Sequence, residues 1–138
     1  LTATLDPASA TSSKAVVLGT RGFRQGLAYW EVKVEQAGWG SVFIGVAPRS
    51  TRSGWQGYGF LNYRAVQAYG SETLYGSYFG PGDTIGVLLD MDRGTIAFIK
   101  DGEDFNVGRP VVMNMGVAYH YLRRGTREGI PTTMYPCL

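Results

Sequence analysis

The stretch at residues 82–102, GDTIGVLLDMDRGTIAFIKDG, decides the fold class of this chain. Residues 83–91 and 95–100 are apolar runs of strand length, rich in the residue types that strands favour. The Asp-Arg-Gly triplet at 92–94 is a tight-turn signal, and the Asp-Gly pair at 101–102 is a second one, because these residues tolerate the backbone angles of turns. The stretch therefore predicts an antiparallel hairpin followed by a further turn.

Outside this hairpin, the alternation of apolar and polar residues predicts further strands. In residues 27–35 the apolar face carries Trp30 with alanine and valine, which is typical of a half-buried antiparallel strand and makes Trp30 a core residue. Residues 41–47 alternate in the same way, so we expect them to form a hairpin with residues 27–35. We expect residues 64–70 to form a short strand.

Two stretches rich in glycine, serine and aromatic residues interrupt this pattern. They are residues 48–63 and residues 71–82, and we expect both to be long loops. No window places apolar residues at helical spacing between start and stop signals, so little helix is expected. Many short strands joined by tight turns predict an all-β fold, a β-sandwich.

The length of 138 residues is typical of one domain, which we place at residues 1–138. Residues 1–13 are weakly patterned and are expected to form an approach segment before the first strand. Because the chain starts at Leu1 without a signal segment, we expect it to be a piece of a longer protein. As an isolated domain we expect it to be monomeric.

Charge and cysteine content narrow the class of partner. The net charge of +2 comes without the basic stripe of a nucleic-acid-binding domain, and no apolar run has the length of a membrane span. We therefore expect neither nucleic acid nor a membrane as partner. The single Cys137 excludes an internal disulfide, which favours a reducing, intracellular compartment, and we expect the cytoplasm rather than the nucleus.

Residue types that carry catalysis or bind metals are present, but their pattern favours structural roles. Asp90 and Asp92 have the spacing of paired carboxylates on a strand, yet they flank a predicted turn, where aspartate accepts hydrogen bonds from backbone amides. Cys137 and His120 are too few for a zinc site, and Cys137 lies at a predicted strand start, where a thiol is buried and unreactive. We expect no catalytic residue, no metal, no cofactor and no enzymatic activity of the domain itself.

One predicted loop has the composition of a protein-binding site. Residues 48–63 and their flank combine arginine with tryptophan and tyrosine, which are enriched in interface hot spots. We expect residues 71–81 to complete this site. The predicted partner-binding residues are Arg49, Arg52, Trp55, Gln56, Tyr58, Tyr63 and Arg64. A secondary site is predicted before the closing strand, at Arg123, Arg124 and Arg127.

Several motifs coincide with those of a known family. They are GLAYWEVKV at 26–34, IGV at 44–46, the hairpin at 82–102, GVAY at 116–119 and MYP at 134–136. By these motifs the chain resembles the SPRY domain, the core of the B30.2 module, over nearly its whole length. It departs from the family pattern in two ways. Residues 106–115 are an insertion, expected to be a surface excursion, and the chain stops at Leu138, where the family adds a final loop and strand.

The resemblance implies a bent two-sheet sandwich of lectin-like, jelly-roll architecture, whose loops bind peptide segments or folded proteins. Such domains are often found in ubiquitin ligases, chromatin complexes or large channels. We therefore expect a non-catalytic protein-interaction module within a larger intracellular protein such as a ubiquitin ligase. One alternative is an internal structural domain that packs against its own parent chain, in a giant ligase or channel. The other is a carbohydrate-binding β-sandwich, because fold alone does not define function.

Overall fold

The computed structural model describes most of the chain. It covers residues 16–36, 41–51, 57–68, 71–104, 109–119 and 133–138, with the backbone alone for residues 68, 101–104 and 109–119. These residues form nine strands and no helix: β1 (Leu27–Lys33), β2 (Phe43–Pro48), β3 (Tyr58–Leu61), β4 (Tyr63–Ala68), β5 (Ser71–Tyr78), β6 (Thr84–Asp90), β7 (Thr95–Asp104), β8 (Arg109–Tyr119) and β9 (Met134–Cys137). None of the described residues therefore belongs to a helix long and apolar enough to cross a membrane.

The strands build two antiparallel sheets. One contains four strands in the order β1-β6-β7-β8, and the other contains five in the order β5-β4-β3-β2-β9. Residues 17–23 continue the five-stranded sheet beyond β9, since Val17 exchanges backbone hydrogen bonds with Leu138, and Phe23 with Met134. The predicted all-β, two-sheet fold is confirmed.

The core lies between the two sheets and is centred on the ring of Phe60 in β3. The centroid of this ring lies 5.4 Å from that of Phe98 in β7, on the opposite sheet, and 4.9 Å from that of Phe79. Tyr75 in β5 meets Phe60 edge-on at 5.6 Å. Aromatic pairs in such tilted and edge-on arrangements stabilise beyond the area they bury, so this cluster holds the sheets together.

The turn between β6 and β7 forms where the sequence predicts it. Asp90 Oδ1 accepts hydrogen bonds from the backbone amides of Asp92 at 3.0 Å and Arg93 at 2.8 Å. Asp92 Oδ1 accepts the amide of Gly26 at 3.0 Å, just before β1. The turn ends at Gly94, whose φ of 69° lies in the left-handed region that favours glycine. The two carboxylates thus hold the turn and attach it to the start of β1.

The predicted hairpin between residues 27–35 and 41–47 is wrong. β1 pairs with β6, whereas β2 lies in the other sheet, between β3 and β9. A close backbone contact accompanies the pairing of β2 with β3, because a Cβ atom on Gly45 would lie only 2.1 Å from the carbonyl oxygen of Tyr58. Only glycine permits this approach, which lets β2 pair with β3, whereas β1 pairs in the other sheet.

The predicted loops at residues 48–63 and 71–82 are wrong in part, because they contain β3 and β5. The glycine in β3 weakens the sequence signal for a strand, yet the structure requires it: a Cβ atom on Gly59 would lie 2.3 Å from Phe43 Cζ. β5 is the edge strand of its sheet and is mostly exposed. Its polar residues resemble a loop because only one side chain in two faces the core.

The predicted turn at residues 101–102 is also wrong. β7 continues through these two positions, where it pairs with residues 112 and 111 of β8. Much of the predicted excursion at residues 106–115 therefore belongs to β8, and the insertion lengthens the β7–β8 hairpin. The Asp-Gly pair fits turn geometry, but the hydrogen bonds of a continuous ladder prevail over this local preference.

Trp30 faces the core from β1, as predicted, and is half-buried. Its ring stacks on that of Phe23, with centroids 5.9 Å apart and planes at 6°. We predict that Trp30→Ala lowers the free energy of unfolding by about 3 kcal/mol, at the low end for a buried aromatic, as measured by chemical denaturation. Leu27→Ala is the control on the outer face of β1, where the residue is 69% exposed, and should change it by less than about 0.5 kcal/mol. Equal effects of the two substitutions would contradict this placement.

Cys137 is buried in β9, as predicted, with 1% of its surface exposed. Burial raises the pKa of its thiol from 9.0 to about 12. We predict that a thiol reagent modifies Cys137 at neutral pH only after the domain unfolds.

The same pKa shift makes the stability of the domain depend on pH. Below pH 9.0 the buried thiol contributes its full stabilisation. Above this pH the thiol of the unfolded chain ionises, so the contribution is lost as pH rises toward about 12. The difference in unfolding free energy between wild type and Cys137→Ala should therefore shrink over this range, and a constant difference would refute the pKa shift.

Candidate functional site

Four side chains lie together on the outer side of β4 and β5, at the edge of the five-stranded sheet. Leu74 is 80% exposed and Tyr78 is 64% exposed, although both belong to a strand, and Tyr63 is 38% exposed. The fourth, Arg64, is also exposed. We call Tyr63, Arg64, Leu74 and Tyr78 the β4–β5 face. Exposed tyrosine, arginine and leucine side chains on a rigid sheet resemble the anchors of a protein interface.

A β-bulge directs the arginine of this face. The register between β4 and β5 shifts between Tyr63 and Ala65, and Arg64 inside the bulge has a φ of 66°. This left-handed conformation is disfavoured for a residue with a side chain and costs about 1–3 kcal/mol. The Arg64 Cζ atom lies 5.7 Å from the centroid of the Tyr78 ring, in a cation–π contact. The bulge therefore holds a charged group against an exposed aromatic ring.

Tyr63 is oriented by a carboxylate on the neighbouring strand. Its hydroxyl donates a hydrogen bond of 2.8 Å to Glu72 Oε1. Partial burial, followed by this hydrogen bond and the negative charge of Glu72, raises the pKa of the Tyr63 hydroxyl. Tyr63 therefore stays protonated and fixed beside the exposed residues of β5.

The structure separates the residues that the sequence analysis grouped into one site. Arg49 follows β2 and Tyr58 begins β3, at one end of the five-stranded sheet, whereas Tyr63 and Arg64 begin β4 at the other end. Tyr58 is half-buried and packs against the core. The remaining predicted residues lie outside the described part of the chain and stay predictions: Arg52, Trp55, Gln56, Arg123, Arg124 and Arg127.

Residues 71–81 belong to the predicted site, but neither Leu74 nor Tyr78 is among its predicted binding residues. In β5 Tyr75 faces the core, whereas Leu74 and Tyr78 are exposed. The sequence SETLYGSY does not alternate between apolar and polar residues, so no sequence signal marks the strand or its exposed face.

Three of the described aspartates engage the fold itself. Asp83 forms an ion pair with Lys100 at 3.1 Å and accepts the Gly80 amide at 2.9 Å, while Asp90 and Asp92 hold the β6–β7 turn. Among the residues that the structure describes, no three histidine, cysteine, aspartate or glutamate side chains are grouped to hold a metal ion. His120 lies outside the described residues.

Structural comparison finds several proteins of the same fold. The SPRY domain of human HERC1 superposes with a TM-score of 0.68 at 23% identity, covering 91% of this chain and 74% of that chain. The TRIM65 PSpry domain gives 0.60 at 17% identity over 93% and 66%. The stonustoxin structure gives 0.59 at 20% identity over 88% of this chain and 18% of that chain. At these identities the superpositions show a shared fold.

Sequence comparison supplies the family. No curated protein matches the chain. A family model described as the SPRY domain matches residues 27–116, which is more than half of the chain. This segment starts at β1 and includes the Trp30 strand, the aromatic core around Phe60 and the β6–β7 hairpin. The chain belongs to the SPRY domain family.

Proposed function

We propose that this SPRY domain is a non-catalytic recognition module that binds a peptide segment or a folded partner through the β4–β5 face. SPRY domains are protein-interaction modules. The observation that carries the proposal is the exposure of Leu74 and Tyr78 beside a strained, positive-φ Arg64. Backbone strain persists where the surrounding fold maintains it, and it is concentrated at binding and catalytic sites.

The energetics of this face suit protein binding. A leucine and a tyrosine that transfer their exposed apolar surface to a partner each contribute on the order of 1–3 kcal/mol. Both stand on a strand and not on a flexible loop, so little conformational entropy is lost on binding. Arg64 adds donors that can reach backbone carbonyls or carboxylates of the partner.

We further propose that the domain is part of a larger intracellular protein, such as a ubiquitin ligase, and is monomeric when isolated. The family resemblance supports the ligase setting, and the single buried thiol is compatible with a reducing compartment. The partner is protein, and neither nucleic acid nor membrane is required.

A second candidate function is that of an internal structural element. In this case the β4–β5 face packs against the parent chain of the domain. The stonustoxin structure favours this second candidate, because the region that matches is only 18% of that chain. In that protein the fold is a small part of a long polypeptide. The two functions differ in what covers Leu74 and Tyr78.

We predict that a photo-reactive amino acid at position 78, introduced into the full chain that carries this domain, cross-links in cells to a separate protein. The control is the same amino acid at position 29, because Tyr29 is 52% exposed on the outer side of the other sheet. A product at both positions would argue against a specific face. Cross-linking at position 78 to a segment of the same chain would establish the internal structural role instead.

With the cross-linked partner purified, Leu74→Ser and Tyr78→Ser should each weaken its binding by about 1–3 kcal/mol, because both remove an exposed apolar anchor. Leu27→Ser is the matched control, since Leu27 is 69% exposed on a strand of the other sheet. Affinity is measured by calorimetry and the melting temperature on the same samples. Unchanged affinity for both β5 variants would exclude the β4–β5 face.

A further inference from the structure

A second surface lies at the opposite end of the five-stranded sheet, around the ring of Tyr135 in β9. The Arg49 Cζ atom lies 4.7 Å from the centroid of this ring. Arg24 Nε donates a hydrogen bond of 3.2 Å to Thr133 Oγ1, two residues before Tyr135. Two guanidinium groups from distant parts of the sequence are therefore anchored on residues 133–135, at the start of β9.

The backbone before β1 runs directly against this segment. A Cβ atom on Gly22 would lie 2.5 Å from Thr133 Cγ2 and 2.6 Å from Tyr135 Cζ, so the chain passes directly against both residues. Arg24 lies two residues beyond this contact, whereas the Arg21 Cζ atom lies 5.6 Å from the centroid of the Phe23 ring. We call Arg24, Arg49 and Tyr135 the arginine patch. Both of its arginines are exposed.

No described carboxylate compensates the charge of the arginine patch. The two ion pairs among the described residues join Arg93 to Asp90 and Lys100 to Asp83, and neither includes a member of the patch. Two exposed arginines are thus held on residues 133 and 135 without an ion-pair partner among the described residues. Like charges in proximity are unfavourable for the free domain, and an anionic partner would relieve this repulsion.

Each guanidinium is held in a way that leaves donors for a ligand. The Arg49 guanidinium lies over the Tyr135 ring, and a cation–π contact of this kind needs none of its five N–H donors. Arg24 uses one donor on Thr133. Anchored side chains lose less conformational entropy on binding than free ones.

We propose that the arginine patch binds an acidic segment of a protein partner, whose aspartate or glutamate carboxylates pair with the two guanidinium groups. The inference rests on the proposed function in that the ligand is a protein. It assigns this ligand to a surface separate from the β4–β5 face. A short acidic segment fits better than nucleic acid, because the net charge of the whole chain is only +2 and the binding of a phosphate backbone needs a longer basic track.

The test measures binding of a fluorescein-labelled, glutamate-rich peptide to the 138-residue chain by fluorescence anisotropy. The same peptide with glutamine at every glutamate position is the uncharged control. We expect the glutamate peptide to bind and the glutamine peptide not to, with affinity falling as salt is added, since exposed charges are screened. Arg24→Ala and Arg49→Ala should each weaken binding roughly tenfold, as expected for a lost charge-assisted hydrogen bond.

Matched variants separate this site from a general effect of charge. Arg93→Ala removes an exposed arginine from the other sheet and should leave peptide affinity unchanged. Tyr135→Phe keeps the ring beneath Arg49 and should bind like wild type, whereas Tyr135→Leu should weaken binding at an unchanged melting temperature. Leu74→Ser should also bind the peptide normally, so a failure here is distinct from a failure of the β4–β5 face.

Three results would overturn the proposal. They are the absence of glutamate-peptide binding at low salt, an equal loss in Arg93→Ala and Arg24→Ala, or tighter binding of a single-stranded oligonucleotide than of the peptide. The last result would identify a nucleic-acid surface. If Tyr135→Leu lowers the melting temperature, the role of the Arg49 contact with the ring is tested by comparing the peptide affinity of Arg49→Lys with that of Arg49→Ala. Lysine keeps the charge but loses the planar stacking, so it should recover only part of the affinity.

Discussion

The contact between the Phe60 and Phe98 rings across the two sheets is the interaction on which the rest of this domain depends. Neither sheet can exist alone in water, because each has one apolar face that must be covered. Phe60 supplies the centre of that cover, and Phe79 and Tyr75 enclose it. With the sheets joined in this way, the outer faces and the strand ends become fixed positions at which exposed side chains can be held.

The pairing of β2 with β3 is the second constraint, and it is imposed by glycine. Gly45 lies against the carbonyl oxygen of Tyr58, and Gly59 lies against the ring of Phe43, so each strand approaches the other where a side chain would not fit. This pairing places Arg49 at one end of the sheet and the start of β4 at the other. The same constraint therefore separates the two surfaces that we propose for partner binding.

The two surfaces differ in physical character. The β4–β5 face is dominated by apolar and aromatic area around one bulge, and it suits an anchor side chain or an exposed edge of a partner. The arginine patch is dominated by charge and suits a solvated acidic segment, whose binding depends on ionic strength. A partner that contacts both ends of the sheet would gain affinity from each, because the second contact becomes intramolecular. One domain of this size can thus combine a specific anchor with an electrostatic contact.

The all-β class, the β6–β7 hairpin with its Asp90 turn, the inward face of Trp30 and the burial of Cys137 could be predicted from the sequence, since each follows from local alternation or turn chemistry. The sequence also carried the motifs of the family. Local patterns do not specify strand partners. The predicted hairpin of residues 27–35 with 41–47 is therefore wrong, and β3 and β5 are predicted as loops. Arg49 and Arg64 come to lie at opposite ends of one sheet, and Arg24 meets Thr133, 109 positions away, only through the tertiary fold. Strand pairing depends on close contacts between the backbones of different strands, such as that of Gly45 with Tyr58, and these contacts leave no periodic pattern in the residues that make them.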